Sequence, residues 1–214
     1  MSNAFREDGG FMQGFNRVID TLVLSILWLL CCIPVITVGA ASGALYYAFH
    51  KSVRQNRSYA VREFFACFKS GFKQTTGIWL IFLVFLILSL VTCFLLRVLR
   101  DVVPMAGVML AMGTVIICFT VVWCIWAFAY QSRFENTVTN ILKNSALLTF
   151  ANLPRSILLL VLFVAAVIVI WNKPALCAPV VALYIWLENK LLEKVFRRLM
   201  TQEALLSELE LDKT

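Results

Sequence analysis

The chain has 214 residues, of which 61 % are apolar and only 14 % charged, against about 45–50 % and about a quarter in an ordinary soluble domain. At 24.2 kDa and a mean hydropathy of +0.86, a soluble fold has too little interior to hide that much apolar surface, so the excess faces lipid. This excludes a soluble enzyme, a nucleic-acid-binding domain and a disulfide-stapled secreted module. The net charge of +7 fits basic loops beside apolar spans, and no nucleic-acid partner follows from it.

A span needs roughly 20 apolar residues to cross about 30 Å of hydrocarbon. Four tracts meet or approach this: Val18–Phe49, Thr75–Leu96, Val102–Tyr130 and Ser156–Leu187. The first and last are too long for one simple span. Asn172-Lys173-Pro174 divides the last, because a Lys at mid-bilayer would cost about 3 kcal/mol. Pro34 and Gly39 interrupt the first, Pro removing a donor and disfavouring helix at the residue before it.

The first tract therefore reads either as one span, giving five in all, or as a tight hairpin turning at Pro34–Gly39, giving six. The hairpin reading places 16 of the 19 Lys and Arg on one side of the membrane, the single span 14. Both follow the positive-inside rule, and the hairpin follows it better. The expected fold is an all-α polytopic transmembrane bundle forming one integral membrane domain over 1–214. Six helices are favoured at about 18–33, 40–56, 75–96, 103–130, 153–171 and 174–195, with both termini cytoplasmic. An interfacial helix at 58–73 and a cytoplasmic tail at 200–214 complete it. Val38-Gly39-Ala40 has the look of a signal-peptide cleavage site, yet Arg6 and Arg17 stand among Glu7, Asp8 and Asp20, and the apolar tract continues beyond it, so no cleavage is expected. Six of the seven cysteines lie in apolar tracts without metal spacing or CxxC pairs, as buried thiols packing like small hydrophobes do.

Three segments stand out. In Trp28–Gly43, Gly39 and Gly43 lie four apart and Ala44 and Ala48 continue the small face, a spacing that lets helix backbones approach closely. Thr37 is placed to cap the returning helix; the functional alternative for this turn is a broken-helix anion site. In Tyr59–Lys73, the rings of Phe64, Phe68 and Phe72 recur at helical spacing, flanked by Arg62, Lys69 and Lys73, with Ser58 as N-cap. That is a basic amphipathic helix lying in the interface, as an anchor or as a docking face for a partner. Past Leu187, Leu191, Val195 and Leu199 continue one apolar face, and Lys190, Lys194, Arg197 and Arg198 form a collar for anionic lipid headgroups.

No carboxylate falls in the middle of a predicted span, Asp20 and Glu188 lying near the ends, whereas ion-coupled transport usually needs one. Neither a phosphate loop nor a metal-ligand cluster stands out, and the single histidine, His50, completes no Ser/His/Asp arrangement. No catalytic residue and no cofactor is expected. Gln131, Arg133, Asn144 and Asn152 either line a cavity or satisfy one another and the loop backbone, the commoner arrangement.

The runs LWLLCCIPVITVGAASGALYYAFHK (Leu27–Lys51) and FFACFKSGFKQ (Phe64–Gln74) resemble the YesL-like family of bacterial integral membrane proteins, whose marks are the Pro-x-x-Thr-x-Gly turn and the Phe/Lys-rich segment. Arg133-Phe134 and Ala151-Asn152-Leu153 extend the resemblance more weakly toward the end. That family is largely of unknown function, and its members are typically encoded beside sugar-importing ABC transporters. The resemblance implies a non-catalytic protein of the bacterial cytoplasmic membrane, accessory to carbohydrate uptake and associated with an ABC transporter permease. The alternative is a small solute facilitator or channel.

Overall fold

The computed structural model of the chain describes residues 4–54, 59–100, 105–134 and 136–199, with side chains described from 17 onward apart from 52–54 and 199. Among the described residues there are seven α-helices and no strand. They are α1 (Ala4–Cys31), α2 (Val38–Ala48), α3 (Ala60–Val98), α4 (Ala106–Arg133), α5 (Val138–Ala151), α6 (Leu153–Asn172) and α7 (Cys177–Leu199). Short 3-10 turns, Val35–Thr37 and Pro174–Leu176, lead into α2 and α7, and α2 passes into a π-helical segment, Phe49–Arg54.

Four stretches among the described residues are long and apolar enough to cross a membrane: Ala60–Val98, Ala106–Arg133, Leu153–Asn172 and Pro174–Arg198. Their outward faces carry the surplus apolar composition, with Leu88, Phe94, Val115 and Ile168 all more than half exposed. The protein is an all-α helical membrane bundle.

The first tract is broken where the hairpin reading puts its turn, but the six spans that reading gave are not reached, since neither α1 nor α2 is among the four stretches long and apolar enough to cross. Helix α1 ends at Cys31, and α2 returns beside it with the Trp28 indole N–H donating to Ser42 Oγ at 3.1 Å. With 11 residues at roughly 1.5 Å each, α2 is too short to span the hydrocarbon. It is instead enclosed by its neighbours, and eight of its residues are buried. The largest enclosed side chains, Trp126, Tyr46, Phe64, Phe82 and Phe196, come from α2, α3, α4 and α7 and form one apolar core.

Several boundaries depart from the sequence-based expectation. Helix α1 starts at Ala4 rather than near 18, because hydropathy marks depth in lipid and not where backbone hydrogen bonding begins. The interfacial helix expected at 58–73 and the span expected at 75–96 are one continuous helix of 39 residues. No proline falls between Lys73 and Thr75, and Thr75 donates its hydroxyl to the Gly71 carbonyl inside the turn (2.8 Å). At roughly 58 Å, α3 is nearly twice the hydrocarbon thickness, so it runs beyond the lipid core. Residues 131–155, expected as a loop, contain α5, whose buried Ile141, Ser145, Leu148 and Thr149 follow the i, i+4, i+7, i+8 rule. Pro154 stands in the first turn of α6, where its missing N–H costs nothing. The expected cap Ser58 and the tail 200–214 lie outside the described residues.

The small face of α2 does not meet α1, as a simple hairpin would have it, but α3. A Cβ added at Gly39 would overlap the Cβ of Trp79 and stand 3.1 Å from the Thr75 carbonyl. At Gly43 it would touch only Thr75 Cγ2, at 3.4 Å. The two glycines are therefore unequal. Gly39→Ala should lower stability by about 1–3 kcal/mol through overpacking, measured as thermal unfolding in detergent. Gly43→Ala and the lipid-facing Ala111→Leu should stay near wild type. Equal losses at 39 and 43 would contradict this packing.

Candidate functional site

The turn into α2 is held by two side chains. Thr37 was expected to cap α2 by accepting from its N–H groups, but α2 has no side-chain cap. Thr37 instead donates backward, to the Cys31 carbonyl at the end of α1 (2.5 Å), with the Pro34 carbonyl also in reach at 2.7 Å. A hydroxyl has one proton, and the orphan carbonyls of α1 take it. From α3, the Trp79 indole donates to the Val35 carbonyl at 2.7 Å. Pro34 and Thr37 thus stand in a turn tied to α1 by Thr37 and to α3 by Trp79, and Gly39 and Gly43 lie beyond it in α2, facing α3.

Tryptophan donors recur as interhelical ties. Trp123 on α4 reaches Ser145 Oγ of α5 (3.0 Å), and Trp126 on α4 reaches Ser156 Oγ of α6 (3.1 Å). Ser156 in turn donates to the Thr149 carbonyl at 2.9 Å. Such bonds join helices where lipid offers no competing hydrophobic drive.

The aromatic stripe is divided by burial. Phe64 is fully buried in the chain's own core and stacks on Phe68, which is half-buried beside it. The Phe64 ring is therefore closed to lipid and to a partner, unlike the face the sequence reading proposed. Phe72 is half-buried, whereas Phe65, Lys69 and Lys73 are exposed. Helical periodicity identifies an apolar face but does not say whether lipid or protein covers it. Of the collar, Lys190, Lys194 and Arg198 are exposed, with Lys190 Nζ over the Trp186 ring at 5.0 Å. Arg197 turns inward instead, its Nε 3.8 Å from Glu193 Oε1.

Glu193 is the centre of a charged junction that sequence reasoning missed. Its side chain is 1 % exposed, and Arg133 from the end of α4 donates to Oε1 at 2.9 Å. His50, from the π-helical segment after α2, places Nδ1 3.4 Å from Oε2. Helices α4 and α7 and the end of α2 therefore meet on one carboxylate. The neighbouring Lys51 pairs with Glu63 of α3 at 2.9 Å. The polar residues expected to satisfy one another or the loop find their partners mostly elsewhere: Gln131 donates to Thr75 Oγ1 (2.9 Å), Asn144 to the Tyr130 hydroxyl (3.0 Å) and Asn152 to the Leu148 carbonyl (3.2 Å). The apolar face of α7 is also wider than Leu191, Val195 and Leu199 implied, since Leu192 and Phe196 are its most buried members. The sequence signal lay in a carboxylate spaced among those apolar positions.

Next to this junction a cavity of about 410 Å³ lies among α1, α2, α3, α4, α6 and α7, within the size range of small-molecule pockets, about 300–1,000 Å³. Its walls are largely aromatic and aliphatic, and its acidic member is Glu188. Glu188 is 8 % exposed; among the described residues it has neither a hydrogen bond nor an ion pair. One turn earlier on α7, Tyr184 also faces the cavity, and its buried hydroxyl has no hydrogen-bond partner among the described residues. The seven cysteines are half-buried free thiols, and no three His, Cys, Asp or Glu side chains among the described residues group as metal ligands.

Residues 21–93 match the family described as "Protein of unknown function, DUF624", a stretch covering the last turns of α1, all of α2 and most of α3. No curated protein and no solved structure matches the chain.

Breaking the junction from one side leaves a buried charge uncompensated, which typically costs about 3–5 kcal/mol. Arg133→Met, which leaves Glu193 only His50 and the more distant Arg197, should destabilise by up to that amount, and adding Glu193→Leu should recover part of it, because the buried carboxylate is gone and the partly exposed Arg197 can turn to water. Unfolding free energies of the two variants check this. A single variant within about 1 kcal/mol of wild type would show that Glu193 is held by something other than Arg133.

Proposed function

We propose that this chain is a non-catalytic, YesL-like protein of the bacterial cytoplasmic membrane. In this reading it is an accessory or regulatory component in carbohydrate uptake, associated with an ABC transporter permease. The family resemblance of Leu27–Lys51 and Phe64–Gln74 supplies the biological setting. The observation that carries the reading is the distribution of exposed charge. The end of α4 is joined to α3 through Gln131–Thr75 and to α7 through Arg133–Glu193, so the first turns of α3 and the last of α7 share one end of the bundle. There Lys69, Lys73, Lys190, Lys194 and Arg198 all lie exposed. Such an end is the one retained in the cytoplasm and drawn to anionic headgroups, and the proposal takes both termini to lie on that side. Beside Lys69 and Lys73, Phe65 and Phe72 offer aromatic surface to a partner, and aromatic residues tend to dominate binding energy.

A small solute facilitator is the second reading. What favours it is the cavity that carries Glu188, because intramembrane ionisable groups mark solute paths. Solute flux in proteoliposomes without partner or ATP is its signature, and flux of that kind would displace the accessory reading.

Two measurements test the proposal. With native cysteines replaced, Lys173→Cys at the opposite end should react with an impermeant maleimide in intact cells, and Lys194→Cys only after permeabilisation; the reverse pattern would invert the topology. Lys69→Glu with Lys73→Glu should lower copurification of the permease by at least about tenfold at matched abundance, because reversed charge at an interface costs several kcal/mol. Unchanged recovery would remove this face as the contact.

A further inference from the structure

The charges buried in this bundle fall into two kinds. At the junction, Glu193 is met by Arg133, His50 and Arg197, so its charge is answered within the fold. Glu188, a little more than one turn earlier on the same helix, is also buried, at 8 % exposed, but faces a cavity rather than a basic side chain. Burying an ionisable group without a partner is unfavourable by several kcal/mol. A fold that answers one carboxylate fully and leaves its neighbour open to a void has built half of an interaction.

The walls of the void decide what the other half is. Trp28, Trp79, Phe82 and Phe128 contribute aromatic surface from α1, α3 and α4, and aromatic faces attract cations as well as apolar groups. A neutral sugar would need many hydrogen-bond partners, and the lining offers few, Ser42 and Thr120 being already engaged with Trp28 and the Ile116 carbonyl. An anion would meet Glu188 with the wrong sign. An acyl chain would fill the void but would gain nothing from a carboxylate or from the unpartnered Tyr184 hydroxyl.

We infer that this cavity is a binding site for a small organic cation with a mostly apolar body, an amine or quaternary ammonium, whose charge pairs with Glu188 and whose body packs on Trp28, Trp79, Phe82 and Phe128. The Tyr184 hydroxyl serves any donor or acceptor carried beside the cationic centre. This site stands independently of the transporter association, because it uses none of the exposed basic residues at the end of the bundle.

The test uses the full chain in nanodiscs, titrated with benzyltrimethylammonium and with neopentylbenzene, its uncharged carbon isostere. Binding is read as quenching of tryptophan emission and as a shift in thermal unfolding. Wild-type protein should prefer the cation by about tenfold or more, the scale of a charge-assisted contact. Glu188→Gln should abolish that preference while leaving binding of the isostere unchanged, and Ala166→Phe, which fills the cavity, should remove both. Equal binding of the two probes to wild type would overturn the inference and leave an apolar void suited to lipid, a result that needs no variant to fold. An undiminished cation preference in Glu188→Gln, or in Ala166→Phe, would place the cation elsewhere and overturn it equally.

Discussion

Everything in this bundle depends on how closely α2 can approach α3. At Gly39 the helix backbone lies where a single methyl group would overlap Trp79, and this contact lets a helix too short to cross the membrane sit inside the bundle. Once there, α2 presents Tyr46 to Phe196 of α7, and the chain continuing from it delivers His50 to Glu193. Trp79 serves twice, as the surface that Gly39 meets and as the donor that holds the Val35 carbonyl. In lipid, where apolar packing alone discriminates little between partners, close approach and interhelical hydrogen bonds select the arrangement. Trp28, Trp79, Trp123 and Trp126 all use their indole N–H in this way.

The sequence made the membrane class, the hairpin at Pro34–Gly39 and the break at Asn172–Pro174 legible, because each follows from a local rule: hydropathy over a span length, proline chemistry, or the cost of a buried lysine. It also marked Gly39 and Gly43 as a place of close approach. The partner helix was not legible, since a small face says that something comes near and not what. For the same reason the rings at 64, 68 and 72 read as a membrane-facing stripe, when Phe64 belongs to the core. Helix α5 was hidden by its polar residues, Asn140, Lys143 and Asn144, which made a four-turn helix resemble a loop.

The largest gap concerned the carboxylates of α7. Glu188 and Glu193 fall at the end of an apolar tract, where depth along one helix suggests water. Their burial comes from other elements: the ends of α2 and α4 rise around α7 and close over positions that hydropathy along a single chain segment assigns to the surface. Thus the bundle holds two acidic groups with different fates, one locked by Arg133 and His50 and the other lining a cavity. The first ties α4, α7 and the end of α2 together, and the second sets a carboxylate into a largely apolar interior.

The placement of α2 is tested most directly by proximity. In a background free of native cysteines, Gly43→Cys combined with Thr75→Cys on α3 should oxidise to an intramolecular disulfide, because a Cβ at 43 lies 3.4 Å from the Thr75 side chain and disulfide formation demands such closeness. Gly43→Cys with Leu27→Cys on α1 should remain reduced under the same oxidant, as read by intact mass. Efficient closure of the α1 pair, with none of the α3 pair, would place the small face of α2 inside the first hairpin and contradict the arrangement on which the core, the charged junction and the cavity all depend.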